Sequence, residues 1–186
     1  MLILITGGVR CGKSQFAETY AKALAGNQVV HYIATSQVFD EEMEWRKQLH
    51  IAQREKQFPF CITHEVPYNI EQVFTQFQCG HIVLLDCITT WLANELFINA
   101  TSWKHPFFQT AVYEKVTSTI QQLQQLPIHC LLVSNELLHG IPSEDEGTFY
   151  YKRMLGKVHQ AIVEHCDEAI VIENGLPIWK KGGKET

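Results

Sequence analysis

Met1-Leu2-Ile3-Leu4-Ile5-Thr6 runs directly into Gly7-Gly8-Val9-Arg10-Cys11-Gly12-Lys13-Ser14, an apolar strand followed by G-x-x-x-x-G-K-S. Glycines at these positions let the backbone curl so that successive N–H groups converge on one anion. A periodic helix follows at once and turns its positive dipole end toward the same point. In this pattern Lys13 reaches the β- and γ-phosphates, and the Ser14 hydroxyl is placed to ligate Mg²⁺. Strand, loop and helix in that order point to a nucleoside triphosphate held by Gly7, Gly8, Val9, Arg10, Cys11, Gly12, Lys13 and Ser14.

Outward from the loop, hydrophobic periodicity alternates between helix and strand. Phe16, Ala17, Tyr20, Ala21 and Leu24 fall at helical spacing, with Gly26 as the stop. A strand is expected over 28–34, and an acidic helix start at Asp40-Glu41-Glu42-Met43 continues through Trp45, Arg46 and His50 to Arg54. Phe58-Pro59 breaks that helix; 60–67 reads as a short extended stretch and 69–77 as a modest helix. His81 to Asp86 is an apolar strand ending in an acid, the pattern in which a carboxylate holds Mg²⁺ through water. A helix follows over 89–97, then a polar loop over 99–106. Phe108, Val112, Val116, Ile120 and Leu123 mark a long amphipathic helix stopped by Pro127. Ile128 to Val133 is the next buried strand, 138–147 a loop, and Tyr151 to His165 the last helix. Glu168 to Ile172 and Leu176 to Trp179 form a hairpin around Asn174-Gly175, and 180–186 is expected to fray. The fold class is therefore α/β: one three-layer P-loop NTPase-like domain over 1–186, mostly parallel, with a short C-terminal antiparallel hairpin.

Charge and composition narrow the function. A formal net charge of −5 argues against a nucleic-acid partner, which would call for a basic stripe. No apolar run approaches the roughly 20 residues that span a bilayer, and Met1–Thr6 does not read as an export signal, so a cytoplasmic location is expected. Six scattered cysteines without a C-x-x-C pair read as reduced thiols rather than a disulfide or zinc framework. The loop alone permits an NTPase, a kinase, a nucleotidyl transferase or a nucleotide-dependent switch. The absence of N-K-x-D removes the guanine-reading motif of regulatory GTPases, and the chain is short for a helicase or motor core. A small-molecule kinase is the default.

Several stretches together carry a closer resemblance. They are the loop 7–14, Tyr32-Ile33-Ala34-Thr35-Ser36-Gln37, Asp40-Glu41-Glu42-Met43 with Arg46, His50 and Arg54, Asp86 through Asn94, and Val133-Ser134-Asn135-Glu136. Over nearly the whole chain they resemble the bifunctional adenosylcobinamide kinase / adenosylcobinamide-phosphate guanylyltransferase family of cobalamin biosynthesis. The resemblance implies two steps: phosphorylation of the aminopropanol hydroxyl of adenosylcobinamide by ATP or GTP, then transfer of GMP from GTP through a GMP–histidine intermediate. His50 stands at the family's histidine position. Its imidazole suits the task, and Arg46 and Arg54, four residues to either side, would neutralise phosphates and favour the neutral ring. An ordinary helix histidine is the bland alternative.

The same resemblance assigns Ala34, Thr35 and Ser36, and Ile51, Ala52, Gln53 and Arg54, to the guanine nucleotide, and Glu65 either to the guanine edge or to solvent. It puts Asp86 with Ser14 at Mg²⁺, and it implies a cytosolic homotrimer. Asn94 and Asn135 either bind substrate or cap loops. Departures are equally visible. Cys11 replaces the family's usual serine, 137–143 loses a glycine and displaces a proline, and His159 takes an asparagine's place in Gly156-Lys157-Val158-His159-Gln160. His159 is read as a surface residue in preference to a hydrogen-bond partner. The changes in 137–159 bear on the acceptor more than on the nucleotide. They leave open a kinase-only relative acting on cobinamide or another small alcohol, and a non-catalytic nucleotide-binding subunit. The base of the kinase step is unassigned.

Overall fold

The computed structural model describes residues 1–37, 41–42, 44–45, 48, 51–52, 58, 60–137 and 145–183. Among the described residues seven strands, β1 (Leu2–Gly7), β2 (Val30–Ala34), β3 (Cys61–Glu65), β4 (Ile82–Asp86), β5 (His129–Asn135), β6 (Glu168–Glu173) and β7 (Leu176–Lys181), form one sheet in the order β3-β2-β4-β5-β1-β6-β7. All neighbours are parallel except β6 and β7. The central strands are apolar on both faces, as a sheet covered on both sides requires.

On one face α1 (Lys13–Ala25) lays Ala17, Ala21 and Ala25 against Ile3, Ile5, Leu84 and Leu131; three alanines at helical spacing allow a close approach. On the other face lie α2 (Ile88–Leu96), α3 (Pro106–Gln125) and α4 (Glu146–His165). There Trp91, Val116, Ile120, Leu155 and Val158 pack on Leu2, Leu4, Val83 and Leu132. Burying an aliphatic side chain of this size contributes about 1.5–3 kcal/mol, so the two apolar layers supply most of the driving force.

Boundaries differ from expectation in four places, each for a local reason. The 70–76 segment is a 3₁₀ helix (Ile70–Gln76), entered through Asn69 at φ 50°, not an α-helix. In the polar loop Ser102–Lys104 forms a 3₁₀ turn, and α3 begins at Pro106, whose fixed φ suits a first helical position. α4 starts at Glu146, because the Asp145 carboxylate accepts from the Thr148 N–H at 2.7 Å and caps it. Lys180 and Lys181 are not frayed: they belong to β7, and Lys181 Nζ donates to the Val163 and Glu164 carbonyls at the end of α4. The described residues among 41–52 are helical, as expected.

Candidate functional site

β1 delivers Gly7 to the carboxyl edge of the sheet, and the chain then turns through Gly8, Val9, Arg10, Cys11 and Gly12 into α1. Gly7 has no room for a side chain. A Cβ there would lie 2.5 Å from Cys11 Sγ and 2.6 Å from the Ile172 carbonyl oxygen. Gly12 sits at φ 93°, where only glycine is unstrained, and Arg10 is held at φ 61°. The Cys11 N–H closes the turn on the Gly8 carbonyl at 3.3 Å, and Phe16 N–H begins the helix on Gly12. Lys13 is buried, with its ammonium donating to the Gly8 carbonyl at 3.2 Å; among the described residues no carboxylate pairs with it. The positive charge is thus held within the glycine-rich turn, against the Gly8 carbonyl, at the point where a polyphosphate would meet the start of α1.

One support of this loop comes from far along the chain. The Asn174-Gly175 tip of the β6–β7 hairpin (φ 50° and 82°) reaches the loop, and Gly175 N–H donates to the Cys11 carbonyl at 2.9 Å. The Asn-Gly pair announces the turn, but only the strand order brings it beside the loop.

Asp86 ends β4 and stands in register with Ala34 on β2 and Val133 on β5. Its Oδ2 accepts from the Tyr32 hydroxyl at 2.8 Å. β5 lies between β4 and β1, so the carboxylate is about two strand spacings, roughly 10 Å, from the strand that carries the loop. A Ser14 hydroxyl and an aspartate on that edge are hard oxygen donors, the chemistry Mg²⁺ selects. The fit is sound in donor type.

The other sequence-designated residues divide sharply. Thr35 is completely buried, and its hydroxyl both donates to the Cys87 carbonyl and accepts from the Cys87 N–H at 2.9 Å, locking the top of β2 to β4. Its side chain is therefore spent on the fold and offers nothing to a nucleotide. Ala34 is half-buried and Ser36 exposed beside it; Glu65 is exposed at the end of the edge strand β3, across from Ala34. Ile51 and Ala52 are helical, half-buried and exposed respectively. His50, Gln53 and Arg54, with Arg46, lie outside the described residues.

Asn94 caps rather than binds: Nδ2 donates to the Thr35 and Pro67 carbonyls, and Oδ1 accepts from Gln37. Asn135 likewise donates to the Thr89 hydroxyl from both its backbone and its side chain. His159 is not a surface residue. It is 8% exposed and shares a 2.8 Å hydrogen bond through Nε2 with the fully buried Ser134 hydroxyl. Burial lowers its pKa, and the charge of Glu136 opposes that shift. The signal was present in the sequence, since position 159 lies four residues after Leu155 and three before Ile162 on the apolar face of α4.

Among the described residues no helix is long and apolar enough to cross a membrane. The fold is similar to that of the flagellar accessory protein FlaH from Methanocaldococcus jannaschii, with a TM-score of 0.50 and 16% identity over 98% of this chain and 78% of that one. The sequence is 32% identical over 185 residues to the bifunctional adenosylcobalamin biosynthesis protein CobU of Salmonella typhimurium, covering 96% of this chain and 98% of that protein. It is 30% identical to the Escherichia coli protein of the same name, covering 96% and 98% of the two chains. It is 34% identical over 180 residues to the bifunctional adenosylcobalamin biosynthesis protein CobP of Pseudomonas aeruginosa, covering 96% of each chain. A family model matches residues 3–179, nearly the whole length, and with these relatives it shows that the chain belongs to the cobinamide kinase / cobinamide phosphate guanyltransferase family.

Proposed function

We propose that this protein phosphorylates adenosylcobinamide with ATP or GTP and then transfers GMP from GTP to the product, acting in the cytoplasm as a homo-oligomer, a trimer by resemblance. The observation that carries the reading is the phosphate loop: a buried Lys13 bonded within a glycine-rich turn between β1 and α1, in a chain matched by that family over residues 3–179. The loop amides and Lys13 bind the β- and γ-phosphates and stabilise the charge that grows between them as the γ-phosphoryl group moves. Bound Mg²⁺, held through Ser14 and Asp86, would neutralise the phosphate oxygens. Tyr32 keeps the Asp86 carboxylate aimed from the end of β4.

In the second step His50 attacks the α-phosphorus of GTP, pyrophosphate leaves, and the corrinoid phosphate then displaces the imidazole to take GMP. Ala34, Ser36, Ile51, Ala52, Gln53, Arg54 and Glu65 surround the guanine nucleotide in this reading, and Thr35 contributes by holding β2 to β4. Incubation of the protein with adenosylcobinamide, Mg²⁺ and GTP labelled at either the γ- or the α-phosphate tests both halves. Both labels appear in corrinoid products if the reading holds. Only γ-label on the corrinoid leaves a kinase, and neither label overturns the proposal.

A further inference from the structure

A cavity of about 530 Å³ opens on the face of the sheet opposite α1, between α4 and strands β1 and β6. Leu4, Ala169 and Val171 floor it from the sheet, and Val163 walls it from α4. Its polar lining includes Thr6, Glu136 and His159. Thr6 is the residue before Gly7 on β1, and Glu136 is the residue after the last of β5, so both stand on the edge of the sheet that carries the phosphate loop. Glu136 N–H donates to the Gly7 carbonyl at 2.9 Å, tying its main chain to the root of that loop. β5 also lies between β1 and β4, which places Glu136 between the strand bearing the loop and the strand bearing Asp86. His159 stands beside it as a buried, hydrogen-bonded wall.

Gln160, Glu164, Lys180 and Lys181 also line it, but its exposed surface is mainly apolar, and a mainly apolar concavity with a few polar groups is the usual form of a small-molecule site. This one exceeds what a short hydroxyalkyl arm fills and is too small to enclose a corrin ring. We infer, resting on the proposed kinase activity, that the cavity receives the hydroxyl-bearing arm and adjoining ring edge of the corrinoid acceptor, with Glu136 as the general base. The Glu136 carboxylate takes the hydroxyl proton while the acceptor oxygen bonds to the γ-phosphorus. The bond between that phosphorus and its bridging oxygen breaks, the nucleoside diphosphate departs, and Glu136 returns the proton to water. His159, buried and bonded to Ser134, holds the wall against which that carboxylate works.

Two variants test the assignment through steady-state phosphorylation of cobinamide. Glu136→Gln is expected to lower kcat at least 100-fold, with KM for the triphosphate within about threefold of wild type; Glu136→Asp should recover part of the rate. Val163→Trp, which adds bulk at a position 39% exposed on the cavity wall, is expected to raise KM for the corrinoid about 10-fold or more while leaving KM for the triphosphate unchanged. A Glu136→Gln enzyme working near the wild-type rate, or a Val163→Trp enzyme with unaltered corrinoid KM, overturns the inference alone. A wild-type protein that phosphorylates no corrinoid overturns the functional reading on which it rests.

Discussion

Cys11 occupies the crown of the phosphate loop, half-exposed and unpaired by any disulfide, with its carbonyl bound by Gly175 and its thiol packed toward Gly7. A triphosphate seated on the loop amides would cover it. Alkylation of Cys11 should therefore slow at least tenfold in saturating Mg²⁺–GTP, measured by mass spectrometry of the labelled peptide. Equal labelling with and without nucleotide would mean that the phosphates sit elsewhere. At this scale the sequence was most informative where the chemistry is local, because G-x-x-x-x-G-K-S specifies a turn, a dipole and a cation within eight contiguous residues. It was least informative where a side chain's partner lies far along the chain. The Thr35 hydroxyl is consumed by Cys87, 52 positions away, and Asn94 by Thr35, 59 positions away. Neither partner can be read from neighbouring residues.

Between elements, one buried carboxylate adds a polar junction to the apolar packing on the face that carries α2 and α3. Glu95 on α2 is 5% exposed and accepts from the Trp91 indole N–H at 3.1 Å, the Asn69 backbone N–H at 3.1 Å and Lys115 Nζ at 2.7 and 2.8 Å. Lys115 belongs to α3, and Asn69 leads into the 3₁₀ helix, so three elements meet on one carboxylate. Removing the cation leaves a buried charge with only neutral donors. Lys115→Met should cost on the order of 3 kcal/mol, read as a fall in the urea midpoint at unchanged slope. A change below about 0.5 kcal/mol would show that the pair is no more than a surface contact. Element type was legible wherever periodicity was strong, as in α3 with Val112, Val116, Ile120 and Leu123. Loop-to-loop contacts were not: Asn174-Gly175 predicts a hairpin, yet nothing local says that its tip braces the phosphate loop.

For the whole molecule, alternation of strands and helices predicts a parallel sheet covered on both faces. Strand order is another matter. β1, β4 and β5 are equally apolar on both faces, so hydrophobicity cannot say that β5 inserts between the other two. At the far side of the sheet three histidines form a chain that also escaped the sequence. Gln78 N–H donates to His81 Nδ1 at 3.2 Å, which makes that nitrogen an acceptor. His31 therefore donates through Nε2 to His81 and accepts through Nδ1 from His64 Nε2, each at 2.9 Å. Burial first, then the neighbouring His64 and His81, push His31 down from 6.5 to about 4; burial also lowers His64. The unfolded chain thus binds more protons than the folded one between those values. Stability is complete above about pH 6.5 and declines as pH falls toward 4, by on the order of 3 kcal/mol for His31. Thermal melts across that range should show the decline, and His31→Phe should flatten it; an unchanged slope in that variant would refute the assignment.

The central claim, that the nucleotide site performs two different transfers, turns on His50. The decisive measurement is incubation with Mg²⁺ and GTP labelled at the α-phosphate, without any corrinoid, beside a His50→Ala control. The account predicts a covalent label that is lost in acid, survives alkali and is absent from the variant. A protein that binds GTP yet takes up no label, or a variant labelled as strongly as wild type, would contradict it.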